Sequence, residues 1–263
     1  MKTALLLLAA VVLGTATTTA ELTSKQRAGA ERMASLTVPS PAEFFAAIDK
    51  AGKPDWMSFY RDPVPTTYPT RLQSALNLGT LVTDGYVAVE AQDGQQVKNT
   101  GKDIISLARA LGVGEDVLVR GKSISDFADR NDWFALREEL EATTNEVRRA
   151  MIAQRDEALA SLITAGAWLR ALEVGSRAAQ LNGEEKTAEL LRQPELVGWL
   201  RGSLEELPEE TRGQDVVSGM DGVLAAVLES MEVPEGQTFG EERVAAIGTA
   251  TGKFTTQIAA KEQ

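Results

Sequence analysis

ALNLGTLVTDGYVAVEA, residues 75–91, and ALASLITAGAWLRALEVGSRAA, residues 158–179, are the two stretches on which the fold turns. Neither alternates with the period of two that a half-buried strand shows, and neither carries the single apolar stripe of a surface helix. Both are long, rich in small residues and apolar on nearly every side, which predicts central helices wrapped by the rest of the chain. Gly166 and Gly175 in the second stretch allow a close helix approach or a bend. Each stretch is followed by an Asx-Gly turn, Asp93-Gly94 and Asn182-Gly183, and then a polar helix start. That parallel raises the expectation of a duplicated helical hairpin.

Outward from these two helices the signals remain helical. Ser40-Pro41-Ala42-Glu43 combines an N-cap, a first-turn proline and a capping-box glutamate. Ser123-Ile124-Ser125-Asp126, Asn182-Gly183-Glu184-Glu185 and Thr238-Phe239-Gly240-Glu241 repeat the logic, and Pro208-Glu209-Glu210 opens a further first turn. The pattern predicts helices near 22–36, 41–51, 68–92, 94–112, 114–121, 124–130, 132–180 with a break, 184–192, 194–206, 209–232 and 239–261. Val117-Leu118-Val119 is the only β-like run outside a helical context, and it has no partner. The fold class is all-α, a multi-helix bundle or irregular helical array.

The chain has 263 residues, no histidine and no cysteine. Disulfides, thiolate metal sites, cysteine nucleophiles and the commonest general base and zinc ligand are therefore excluded. With 38 acidic against 27 basic residues, the formal net charge is −11. Such a chain is repelled by nucleic-acid phosphates and anionic membranes, so nucleic acid is not an expected partner. Residues 1–20, MKTALLLLAAVVLGTATTTA, have a basic start, a ten-residue apolar run and small residues before Glu21. This is the grammar of a secretory signal peptide, because the apolar run is too short to span a bilayer of about 20 helical residues. The expected organisation is a signal over 1–20 and one all-helical domain over 21–263. Export to the periplasm or medium follows, with no membrane span after cleavage.

Motifs for chemistry are sparse. Gly121-Lys122-Ser123 looks like the end of a phosphate loop, but Asp116 stands where that loop needs its first glycine. The expectation is instead a helix end at Gly121 and a Ser123 cap. Asp126, Asp129, Asn131 and Asp132 are rich in oxygen yet miss the spacing of a calcium loop, which leaves capping by Asn131 or Asp132 as their role. Glu229-Ser230 resembles, over two residues, the catalytic glutamate motif of lytic transglycosylases. The glycine-rich segment that completes that motif is missing.

Two features remain as candidate ligand-binding sites. Asn77, Thr80 and Asp84 form a narrow polar stripe on the first apolar helix. A buried Asp84 requires a cation, with Arg109, Arg155 and Arg170 as the candidates. The stripe is read either as a ligand contact or as a structural salt bridge. The second feature is the loop over residues 52–69. Between residues 39 and 69 stand six of the chain's nine prolines and six of its fourteen Trp, Tyr and Phe residues, so this segment is rigid and aromatic. Trp56, Tyr60, Arg61, Tyr68 and Arg71 suit either a peptide or glycan groove or a lid whose rings close one end of the bundle. Trp168, by contrast, is a core residue.

These readings lead to an exported, non-catalytic binding or scaffolding module of the cell envelope. A protein, peptide or glycan partner is expected, with no cofactor and no metal. The alternatives are a structural protein acting as a homo-oligomer and a carboxylate-based hydrolase.

Overall fold

The computed structural model describes residues 40–260, apart from 114, 184 and 235–237. The expected signal peptide and the helix expected over 22–36 lie outside the described residues. The elements in chain order are α1 (Pro41–Gly52), a short 3-10 turn (Trp56–Phe59), α2 (Arg71–Glu90), α3 (Gly94–Ala110), α4 (Glu115–Asp129) and α5 (Trp133–Ala153). They continue with α6 (Glu157–Asn182), α7 (Glu185–Leu191), α8 (Pro194–Glu205), α9 (Glu209–Arg212), α10 (Asp215–Met231) and α11 (Glu241–Ala259). All of this regular structure is helical, as the apolar periodicity requires.

Local chemistry sets the helix ends. The Ser40 side chain accepts from the Glu43 amide while the Glu43 carboxylate accepts from the Ser40 amide, a complete capping box with Pro41 in the first turn. Thr70, Asp93 and Asp132 cap α2, α3 and α5 through their side-chain oxygens. Gly183, at φ 61°, ends α6 in the left-handed region where glycine is favoured.

α2 and α6 form the centre. Gly79 of α2 faces the Ile163 carbonyl, and Gly166 of α6 faces the Leu76 carbonyl. A Cβ on Gly79 would collide with that carbonyl and lie 2.6 Å from the Ala167 nitrogen. The two backbones therefore touch with no side chain between them, which only glycine permits. The Thr83 hydroxyl donates across the crossing to the Ala167 carbonyl at 2.8 Å. On one side, α3 packs on α2, α4 on α3 and α5 on α4, with α5 returning to α2 and α6. On the other, α11 packs on α6, α10 on α11 and α8 on α10. α1 lies over α2 and α6, where Phe44 meets Trp168 at 5.8 Å between ring centroids. Trp168 is 1% exposed, a core residue. By length and composition α6 is apolar enough to cross a membrane, but 83% of that window is buried, as befits the core helix of this array.

Several expected boundaries are corrected. α4 runs unbroken through Gly121-Lys122-Ser123, so there is neither a helix end at Gly121 nor a Ser123 cap. Gly121 is retained for packing, since a Cβ there would stand 3.3 Å from Ile105. Val117-Leu118-Val119 is part of the same helix. The break expected within 132–180 falls at Gln154–Asp156, where Arg155 adopts φ 63°, and the helix expected over 209–232 is divided at Gly213-Gln214. α6 passes through Gly166 and Gly175 as one helix.

Candidate functional site

The loop after α1 folds its rings inward. Asp55 caps the 3-10 turn, and Trp56 inserts between Phe45 at 5.3 Å and Phe59 at 5.7 Å. Trp56 is 4% exposed, and its indole N–H donates to Asp49 Oδ1 at 3.0 Å, which satisfies its one polar atom. Tyr68 is also buried, and burial pushes its phenol up to about 12 despite the opposing field of Arg61. Tyr60 is half-buried, and its hydroxyl donates to Asp93. Its phenol is raised by burial first and by the Asp93 charge second. The rings of Trp56 and Tyr68 therefore face the core, which is the lid alternative of the two expected for this loop.

Beneath the loop lies an ionic cluster. Asp84 receives two guanidiniums, with Arg61 Nε on Oδ2 and Arg170 Nε on Oδ1, both at 2.8 Å. Arg61 also donates to the Thr80 hydroxyl at 2.9 Å. Arg170, with a side chain 1% exposed, donates to the Phe59 carbonyl at 2.8 Å. Its Nη1 lies 2.7 Å from Glu173 Oε1, an approach not aligned as a hydrogen bond, so it acts through charge. Glu173 in turn accepts from the Thr255 hydroxyl of α11 at 2.7 Å. Burial drags the Arg170 guanidinium down, yet the carboxylates of Asp84 and Glu173 outweigh it, and the net direction is up. The Asn77-Thr80-Asp84 stripe thus faces the loop and α11, where Asn77 donates to the Ile258 carbonyl at 2.8 Å. Of the three cations considered for Asp84, Arg170 is the partner.

Chemically this cluster holds the loop in place. Its carboxylates accept from guanidiniums and a hydroxyl, and Arg177 adds a fixed donor to the Ser58 carbonyl at 2.8 Å. Arg71 is not part of it. That side chain donates to the Leu111 carbonyl at 3.1 Å and pairs with Asp156 at 2.7 Å, tying the start of α2 to the start of α6.

Surface cavities lie elsewhere, two of them as follows. One, of about 440 Å³, sits between the end of α6, α7 and the start of α11, with Phe239 and Val244 in its wall. The other, of about 320 Å³, is a furrow along the α3–α4 seam. Trp56, Tyr60, Arg61, Tyr68, Arg71 and Asp84 line neither. The furrow carries Lys98, Lys102 and Arg109, which sequence reasoning passed over. Their spacing along α3 reads as the border of an ordinary amphipathic stripe, and only the position of α4 makes it a wall. Among the described residues no group of three Asp or Glu side chains could hold a metal ion. Compared with known families, curated proteins and solved structures, the chain matches none.

Proposed function

We propose that the chain is an exported, non-catalytic helical module that works in the cell envelope by binding or scaffolding. One observation carries the non-catalytic part of the reading. The constellation with the most concentrated charge, Asp84 with Arg61, Arg170 and Glu173, is consumed by its own contacts under the loop. A general acid or base has to present a proton-accepting atom to a cavity where substrate sits, and this cluster lines neither the cavity between α6, α7 and α11 nor the α3–α4 furrow. Export rests on the basic start, short apolar run and small residues of positions 1–20.

The test is to express the full chain in an envelope-bearing host and recover it without denaturation. Intact mass should place Glu21 or a near neighbour first. Mass spectrometry of the undenatured protein should find a molecule bound in stoichiometric amount. A chain retaining Met1 in the cytosolic fraction overturns the export reading. Turnover of envelope glycan or peptide by the purified protein, lost in Asp84→Asn, overturns the non-catalytic one.

A further inference from the structure

The furrow between α3 and α4 has a construction of its own. The helices run antiparallel, as three contacts fix: Lys98 with Asp129, Gly101 with Ile124, and Gly121 with Ile105. Each glycine receives the isoleucine of the opposite helix; a Cβ on Gly101 would stand 3.1 Å from Ile124 Cγ2. This reciprocal fit brings the helices close, leaving an apolar floor of Ile105 and Ile124 beneath a walled trough.

Among the described residues the walls carry one sign of charge: Lys98, Lys102 and Arg109 line the furrow with the hydroxyls of Ser106 and Ser125, and none of the described lining residues is a carboxylate. Lys98 is neutralised at one end by Asp129, 2.8 Å away. Among the described residues neither Lys102 nor Arg109 forms a salt bridge, the charge of Lys102 reaching the carboxyl of its neighbour Asp103, and neither serine hydroxyl has a hydrogen bond within the protein. Lys102 stands four residues before Ser106 and Arg109 three after it, so all three share one face of α3. The axial distance from Lys102 to Arg109 is about 10 Å, which two long side chains can close onto one oxyanion at Ser106. In a chain of net charge −11, this is a local reversal of the overall field.

From this arrangement we infer that the α3–α4 furrow binds a small organic anion. Its oxyanion head, a carboxylate or phosphate monoester, lies between Lys102 and Arg109 against Ser106 and Ser125. Its short apolar body lies along Ile105 and Ile124. A volume of about 320 Å³ stands at the small end of ligand sites and suits a small molecule. The inference rests on the reading of the chain as a binding module and names a ligand class for it.

Four probes separate head from tail in calorimetric titrations of the purified protein: octyl phosphate, octanoate, inorganic phosphate and octyl glucoside. Octyl phosphate or octanoate should bind one to one, the tighter of the two naming the head group. Inorganic phosphate and octyl glucoside should each bind roughly tenfold or more weakly, lacking body or charge. Lys102→Gln combined with Arg109→Gln should weaken the preferred probe by roughly tenfold or more. Both side chains are exposed, so the far-ultraviolet spectrum should not change. Lys122→Gln, exposed on α4 outside the furrow, should leave binding as it is. Equal binding of octyl glucoside, full affinity in the double variant, or no binding by either charged amphiphile overturns the assignment. Those results leave the recovery of a native bound molecule to judge the binding-module reading separately.

Discussion

Gly79→Ala is the substitution that tests the centre of this fold most directly. The new methyl would meet the Ile163 carbonyl and stand 2.6 Å from the Ala167 nitrogen, where ordinary contact begins at 3.4 Å. Both obstacles are backbone of a helix packed on its other sides, so no side chain can rotate away. α2 and α6 must separate by on the order of 1 Å, and overpacking of this kind costs about 1–3 kcal/mol, more where the obstacle is rigid. The shift also stretches the Thr83–Ala167 hydrogen bond and the Arg170–Asp84 pair. Against this stands a gain of about 1 kcal/mol in helix propensity for alanine over glycine. The net loss should be about 2 kcal/mol, which for a chain of this size lowers Tm by roughly 4–8 °C. Gly222→Ala in α10 is the matched control, because a Cβ there meets nothing within 4 Å. It should raise stability by about 0.5–1 kcal/mol. Circular dichroism melts and urea titrations of the two variants, beside Gly166→Ala and the Gly79/Gly166 double, provide the comparison. The double should cost less than the sum, since helices already parted accept the second methyl more easily. If Gly79→Ala melts as high as Gly222→Ala, the backbone contact is not what holds α2 to α6, and the reasoning fails.

Arg170→Met leaves Asp84 with only Arg61 and removes the cation of Glu173, and urea unfolding should show a loss of about 3–5 kcal/mol; a loss under 1 kcal/mol, the scale of an exposed pair, would refute the buried-clasp reading. Trp56→Ala with Arg61→Ala should melt far below wild type, because a buried ring removed from the Phe45–Phe59 stack alone costs about 3–5 kcal/mol. An unchanged Tm there would restore the loop as an open groove. Glu90 carries a pH signature: burial raises its carboxyl even with Arg137 donating at 2.6 Å. A carboxyl with a higher pKa folded than unfolded binds more protons in the native state, so its stabilising share is present at low pH and lost as pH rises through the raised value. The stability difference between wild type and Glu90→Gln should therefore fall on going upward from 4.5, the ordinary value, and a difference that rises with pH would contradict it.

What could be read from residues alone depended on whether a local rule and the packing agreed. α2 and α6 were legible because all-round apolarity with small residues has one solution in a packed helical array, a buried crossing. The polar stripe on α2 named Asp84 as needing a cation, and Arg170 was one of three candidates for it, whereas Arg61, the second cation, comes from the loop and was not among them. α4 was not legible. Gly121 followed by Ser123 satisfies the local rules for a stop and a start, but the glycine is there to admit Ile105, a tertiary demand invisible along the chain. The α5–α6 break was equally hidden, since Arg155 takes a left-handed conformation with no glycine to mark it. The loop's rings gave composition without direction. Whether an aromatic cluster faces water or core depends on what lies under it, here Phe45 and the Arg170 guanidinium that donates to the Phe59 carbonyl. The furrow cations were missed for a related reason, because a wall needs a second helix beside it.

The crossing of α2 and α6 also imposes an order on how the chain is made. Thr83 finds its acceptor 84 residues later, Asp84 its deep arginine 86 residues later, and Asn77 the Ile258 carbonyl after 181. At translation speeds of about 5–20 residues per second, α2 waits on the order of ten seconds for the helix that covers it. Closures of such length are slow even in a complete chain, because the lost loop entropy is not repaid until many contacts form together. For that interval the apolar sides of α2 have only α1 and the α3–α5 wing as shelter. In any fragment that stops before Glu157, the side of ALNLGTLVTDGYVAVEA that packs on α6 stays uncovered.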